Sequence, residues 1–337
     1  MLWTGDGNVG RSITGVGFKP DFVWIGNRDR NTYKPVYDSV RGATNMLRSN
    51  TTDTEGSFST VLNSFDADGF TVGTDSAHNA DGEGIVGWCW KAGGDSNTFN
   101  VDGTGYATAS AAGITEGNLA LTGASINRDA GFSIVTFSAN NSASATIGHG
   151  LNNKPKWVIV KDTANVDDWQ VKIIDDNLYL KLNESDASST LYPNYTATDT
   201  VINLGYTWNN GSGTHVAYSW EEIEGFSKFG SYVGNNNADG PFVYCGFKPA
   251  WVLIKRTTTN GYFWTIYDNA RKPTNPVNYT MTPDQTNLEV RTGGNGQVDF
   301  LSNGFKCRNT DGGINADGVT YVFAAFAESP FTTANAK

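Results

Sequence analysis

Charge and helix-forming side chains are what this chain has least of. Only 17 % of its 337 residues are charged, only 38 % are apolar, and Met occurs three times. Leu, Lys, Glu and Met sustain helices, so their scarcity argues against a helical protein. No apolar run approaches the ~18 residues of a membrane helix, and no apolar signal core follows Met1. A soluble chain, without membrane contact and outside Sec export, is therefore expected. The net charge is −10, and Lys and Arg are scattered. A phosphate backbone needs a basic stripe, so nucleic acid is not an expected partner. The three cysteines, Cys89, Cys245 and Cys307, and the three histidines, His78, His149 and His215, lack metal-ligand spacing. With no phosphate loop, dinucleotide fingerprint or Gly-x-Ser-x-Gly elbow either, no metal and no cofactor is expected.

What is abundant is turn chemistry: 39 glycines, with Asn, Thr, Ser and Asp. Asn-Ala-Asp-Gly occurs at Asn79–Gly82, Asn237–Gly240 and Asn315–Gly318. A second signature also recurs: Lys19-Pro20 leads into Phe22-Val23-Trp24-Ile25, Lys154-Pro155 into Trp157-Val158-Ile159-Val160, and Lys248-Pro249 into Trp251-Val252-Leu253-Ile254. Uninterrupted apolar runs of this kind fit strands buried on both faces, each begun at a proline that needs no N–H partner. Asp68-Gly69-Phe70 and Asn303-Gly304-Phe305 then signal hairpins. Aromatic runs, Ile85–Trp90, Val216–Trp220 and Tyr321–Phe326, close each stretch.

The fold expected is all-β: tandem β-sandwich, jelly-roll-like repeats in three units. The units span 1–93, 131–225 and 226–330. Residues 94–130, rich in Gly, Ala, Ser and Thr, read as a linker or a segment ordered only by a neighbour, and 331–337 as a tail.

Candidate sites are few. A Tyr-Asp-x-x-Arg pattern occurs at Tyr37, Asp38, Arg41 and at Tyr267, Asp268, Arg271. The middle unit has Asp175, with Leu178 where Arg would stand. The pattern either ties a turn or forms a polar pocket for a sugar or acidic group. Among the ten tryptophans and fourteen tyrosines, Trp3, Tyr33, Trp169, Trp208, Tyr262 and Trp264 lie in polar surroundings. They are the candidates for exposed, sugar-stacking rings, with Trp169, Trp208 and Trp264 foremost. Glu221, Glu222 and Glu224 form the densest acidic cluster, and Asp66-Ala67-Asp68-Gly69 resembles the opening of a calcium loop without its later ligands.

The stretch Arg11–Ile25, with Tyr37-Asp38-Ser39-Val40-Arg41-Gly42, Ser64–Gly73, Trp88–Gly93, Gly131–Val135, Gly225–Tyr232 and Phe300–Lys306, resembles an uncharacterised repeat domain of marine tailed-phage virion proteins. The resemblance covers nearly the whole chain apart from 94–130. It implies a non-enzymatic virion structural protein, a tail-fibre or appendage component displaying loops such as Asn27–Pro35, Thr257–Tyr262 and Lys272–Asn278 for host attachment. Its implied partners are other virion proteins and a host glycan or receptor, with a homotrimer as the implied assembly. A lectin-like sandwich often precedes this region in the family, which implies a fragment or a shortened version here. The alternatives are a capsid decoration protein and a glycan depolymerase that would use Glu221 and Glu222.

Overall fold

Why the apolar runs are uninterrupted becomes plain in the computed structural model, which describes residues 1–190, 195–291 and 296–328. The tail expected at 331–337 lies outside the described residues. The chain is all-β, with helix among the described residues limited to one turn at Ser76–Asn79 and a 3-10 turn at Thr207–Asn209. Strand Phe22–Asn27 is buried at every position, as is Trp157–Asp162. Each of these strands is covered on both faces.

Three main sheets and three small ones divide the described residues. In the first main sheet, Phe22–Asn27 lies between Gly84–Trp90 and Pro35–Asp38. In the second, Trp157–Asp162 lies between Thr214–Trp220 and Gln170–Ile173. In the third, Pro249–Arg256 lies between Thr320–Ala327 and Thr265–Asp268. The register is the same in all three: Phe22 faces Trp90, Trp157 faces Trp220, and Trp251 faces Phe326.

One face of each main sheet packs on its own small sheet, giving a sandwich. Val23 and Ile25 meet Ile13 and Phe70; Val158 and Ala217 meet Ile147 and Ile202; Val252 and Ile254 meet Val243 and Phe305. The other faces turn inward and share a single core. Phe22, Trp24 and Trp88, Trp157, Ile159 and Tyr218, and Trp251, Leu253 and Phe326 all belong to it. Alternation along each strand decides which side chain goes to which core.

The three main sheets close into a ring through equivalent backbone bonds. Glu55 N–H donates to Thr163 O at 2.9 Å, Ser188 N–H to Thr257 O at 2.8 Å, and Glu289 N–H to Arg28 O at 3.2 Å. First meets second, second meets third, and third returns to first.

Residues 94–130 are folded, contrary to the linker reading. Phe99–Val101, Thr104–Tyr106 and Leu121–Asn127 extend the second main sheet to eight strands, with Phe99–Val101 parallel to Leu121–Asn127. Phe99, Ala124 and Ile126 are buried in the second sandwich. Small side chains hid this segment from the sequence, because Ala and Gly line a close strand approach without an apolar signature.

The tetrapeptide also acquires a meaning. Asn79 and Asn315 are completely buried, and so is Asn209 at the equivalent place before the second aromatic run. Each amide clamps the facing loop. Asn79 accepts from Asp6 N and donates to Asn8 O; Asn209 accepts from Asn140 N and donates to Ser142 O; Asn315 accepts from Asn235 N and donates to Asn237 O. A buried amide satisfied on both ends holds a turn to its neighbour. The copy at Asn237 does another job, accepting Asp239 N–H within its own turn.

Candidate functional site: interface latches and an axial cleft

The Tyr-Asp-x-x-Arg residues sit where the sheets meet. Arg41 binds Asp38 at 2.6 Å and Val36 O at 3.3 Å; Arg271 binds Asp268 at 2.5 Å and Ile266 O at 2.9 Å. Each aspartate then takes a donor from the neighbouring main sheet. Tyr218 O–H reaches Asp38 at 2.6 Å, and Trp88 Nε1–H reaches Asp268 at 3.0 Å. Arg271 also lies over the Trp88 ring at 5.4 Å. Burial raises the Asp268 carboxyl, but the charge and hydrogen bonds of Arg271 outweigh it and hold the group below its ordinary value.

Tyr37, Asp38, Tyr267, Asp268 and Arg271 are all buried, and the Arg41 side chain is 4 % exposed. The pattern therefore ties turns and sheets together, and side chains this buried form no open sugar pocket of their own, although Asp268 borders the large cleft between the sheets. The middle counterpart is also corrected. The register of Trp157 with Ile173 puts Ile173, not Asp175, at the latch position. Asp175 is exposed and pairs with Lys154 and Lys156. Opposite, where Tyr218 and Trp88 stand in the other sheets, the third sheet has Ala324. Two interfaces carry a polar latch and one carries apolar residues, a swap that costs little when both partners change.

Trp169, Trp208 and Trp264 are not exposed platforms either; each is at most 1 % exposed. Trp169 Nε1–H donates to Arg48 O and Trp264 Nε1–H to Lys181 O, both at 2.9 Å and both across an interface. Their polar sequence neighbours cap strand ends, and the next sheet covers the rings. Trp208 stacks on Tyr195 at 4.9 Å inside the second sandwich. Trp3 is buried as well, while Tyr33 and Tyr262 lie under Arg48 and Arg256 at 4.7 and 4.1 Å.

Lys34 occupies the third equivalent of Trp169 and Trp264, donating to Asn287 O at 3.0 Å. Lys161 and Lys255 likewise reach across, to Thr52 O at 3.4 Å and Asp186 O at 2.8 Å. These lysines escaped the sequence reading; the signal was a charge inside or beside an apolar run. Burial lowers all three to about 8, against attraction from Asp284 at Lys34 and Lys255 and from Asp162, Asp167, Asp168 and Asp53 at Lys161. Burial also lowers Lys172 to about 8.

A lysine lowered on folding binds its proton less well in the folded chain, so stability rises with pH from about 8 to the unfolded value near ~10.4. Two sets of groups act the other way. Burial raises Asp284 to about 8, which erodes stability as pH climbs toward that value. Burial also raises the three thiols to about 12, which erodes it above their unfolded pKa of roughly 8.5. The thermal midpoint is therefore expected to dip near pH 8, rise to about pH 9 and fall beyond pH 10 as unfolded tyrosines ionise. A midpoint that falls steadily from pH 7 to 10 would contradict this account.

The remaining acidic candidates are engaged separately. Buried Glu221 accepts Asn153 N–H at 2.7 Å, and Glu222 pairs with Lys228 at 2.6 Å. Asp68 accepts Gly15 and Gly17 N–H from the facing loop, and Asp66 accepts from the Ser64 and Thr71 hydroxyls, so both carboxylates of the calcium-loop candidate hold their hairpin in place.

A large opening lies between the sheets. A cleft of about 810 Å³ lies where the main sheets converge, with Trp90, Phe132, Trp251 and Phe326 supplied by all three and Asn127, Asp129 and Asn269 among its polar groups. Trp90 is half-buried, touching Trp251 and Phe326 edge-on at 5.5 Å each. The Trp251 indole N–H is buried without a partner among the described residues. An aromatic opening with a few polar groups has the character of a binding site.

The model of one protein family, described as a domain of unknown function (DUF7483), matches residues 1–330. No curated protein and no solved structure matches the chain.

Proposed function

For this chain, which belongs to the DUF7483 family, we propose a non-enzymatic structural role in a phage virion, as a tail-fibre or appendage component that presents loops to a host surface. The observation that carries the reading is the ring of latches. The charged and aromatic motifs hold three sheets rigidly together instead of facing a substrate. A repeated β unit used once per sheet would build a threefold body from one chain. Such a body fits the end of a threefold shaft as a single copy, since its three inner faces already cover one another.

The ring leaves loops exposed at its margins, anchored to the neighbouring sheet where Asn31 accepts Leu288 N–H and Asn260 accepts Ala187 N–H. Asp29–Asn31 and Thr258–Asn260 follow equivalent inner strands and are exposed. They, together with the cleft, are the surfaces offered to other virion proteins and to a host glycan or receptor. The role is tested by labelling intact particles with an antibody to the protein and imaging them by electron microscopy. Label at tail appendages is expected. Label on the capsid would favour decoration instead, and particles without label would end the virion reading.

A further inference from the structure

The small sheets, of three, two and three strands, each carry one equivalent strand, and in one of them that strand differs from the other two. Arg11–Thr14, Thr146–Gly148 and Phe242–Tyr244 each point one central apolar residue into a sandwich: Ile13, Ile147 and Val243. Ile13 pairs with Phe70 and Val243 with Phe305, so the strands correspond. The flanking positions point the other way. They hold Ser12 and Thr14 in the first, Thr146 and Gly148 in the second, and Phe242 and Tyr244 in the third.

Phe242 is 44 % exposed and Tyr244 63 % exposed. Nothing in the packing of the other two small sheets requires rings here. On one face of a strand the two side chains stand ~7 Å apart, at ~3.4 Å per residue. Gly304 lies opposite Tyr244 and leaves that ring uncovered, while Lys306 lies opposite Phe242. Lys306 is paired at 2.5 Å with Asp239, whose side chain is 78 % exposed. Asp239 belongs to the Asn-Ala-Asp-Gly copy that does not clamp a loop.

We propose that Phe242 and Tyr244 form a stacking platform for an uncharged glycan, with Asp239 and Lys306 hydrogen-bonding its hydroxyls. This deepens the attachment role and rests on that reading for its biological setting. Size, charge and edge chemistry select the occupant. Full burial of an aromatic side chain covers ~150–250 Å², so two half-exposed rings offer roughly 200 Å². A stable protein interface needs ~800 Å² per partner, whereas a sugar ring needs only such a stacking face. The charges beside the platform are paired, Asp239 with Lys306 and Asp299 with Arg308, so its edge offers no free cation to hold an anionic sugar or anionic lipid. Pro241, just before this short edge strand, hinders pairing with a second copy.

The test screens the purified full chain on an array of neutral and anionic oligosaccharides, then titrates the strongest neutral binder by calorimetry. The variant is Phe242→Ser with Tyr244→Thr, which copies the first small sheet and is expected to keep the unfolding midpoint. Affinity is expected to fall at least tenfold. No neutral binder, or binding unchanged in the variant, overturns the proposal. So does a wild-type dimer that the double change makes monomeric. Failure here with label found on tail appendages leaves the virion role standing, and binding here with unlabelled particles does the reverse.

Discussion

Arg271→Ala is expected to destabilise the fold by about 3–5 kcal/mol, the range for removing one partner of a buried ion pair. Three groups depend on that guanidinium: Asp268, Glu289 and the carbonyl of Ile266. The Glu289 side chain is fully buried and that of Asp268 only 4 % exposed, so Asp268 loses its neutralising charge and Glu289 one of three in a buried interface. Arg28 and Arg291 also bind Glu289 and soften the loss there, but neither contacts Asp268 among the described residues. Arg41→Ala is the control. Its second carboxylate, Glu55, is 26 % exposed and can turn to water, so a smaller loss is expected. Urea denaturation of the two variants checks the order; an Arg41 variant as unstable as the Arg271 variant would refute the role given to Glu289.

Cutting the chain into its three sheets is expected to do more damage still. Residues 1–93 alone would expose Phe22, Trp24, Val36, Leu47, Val86 and Trp88 on one face. Each is worth ~1.5–3 kcal/mol when buried, against a whole-domain stability of ~5–15 kcal/mol. The piece should therefore bind a hydrophobic dye, aggregate or self-associate, and lack a cooperative unfolding transition as a monomer. The intact chain should melt as one unit. Gel filtration and calorimetry decide; a soluble, cooperatively folding monomer of 1–93 would show that its sandwich core suffices without the shared core.

How the sequence fell short follows from the same geometry. Runs such as Trp157–Val160 read correctly as strands buried on both faces, because unbroken hydrophobicity has that meaning wherever the second covering comes from. What covered the second face was not readable. Trp169 and Trp264 sit among Asp, Asn and Thr, a setting that resembles a loop until another sheet arrives from far along the chain. The Asp–Arg pairs were visible as turn ties, yet their outside donors, Tyr218 and Trp88, are each 180 residues from their aspartates. Phe242 and Tyr244 carried no motif and emerge only when three strands are laid side by side. Local chemistry was legible; partners across the ring were not.

Closure of the ring also has a kinetic side. The bond between Arg28 and Glu289 spans 261 residues, so an interface residue made early by the ribosome waits for one made late. Contacts that distant form slowly, because loop entropy must be overcome before they reward the chain. During synthesis the aromatic face of the first sheet has no third sheet to lie on, and such a face is prone to aggregate. The late step in refolding should therefore be arrival of the third sheet, seen as a slow change in Trp88 and Trp90 fluorescence after most strand signal has returned.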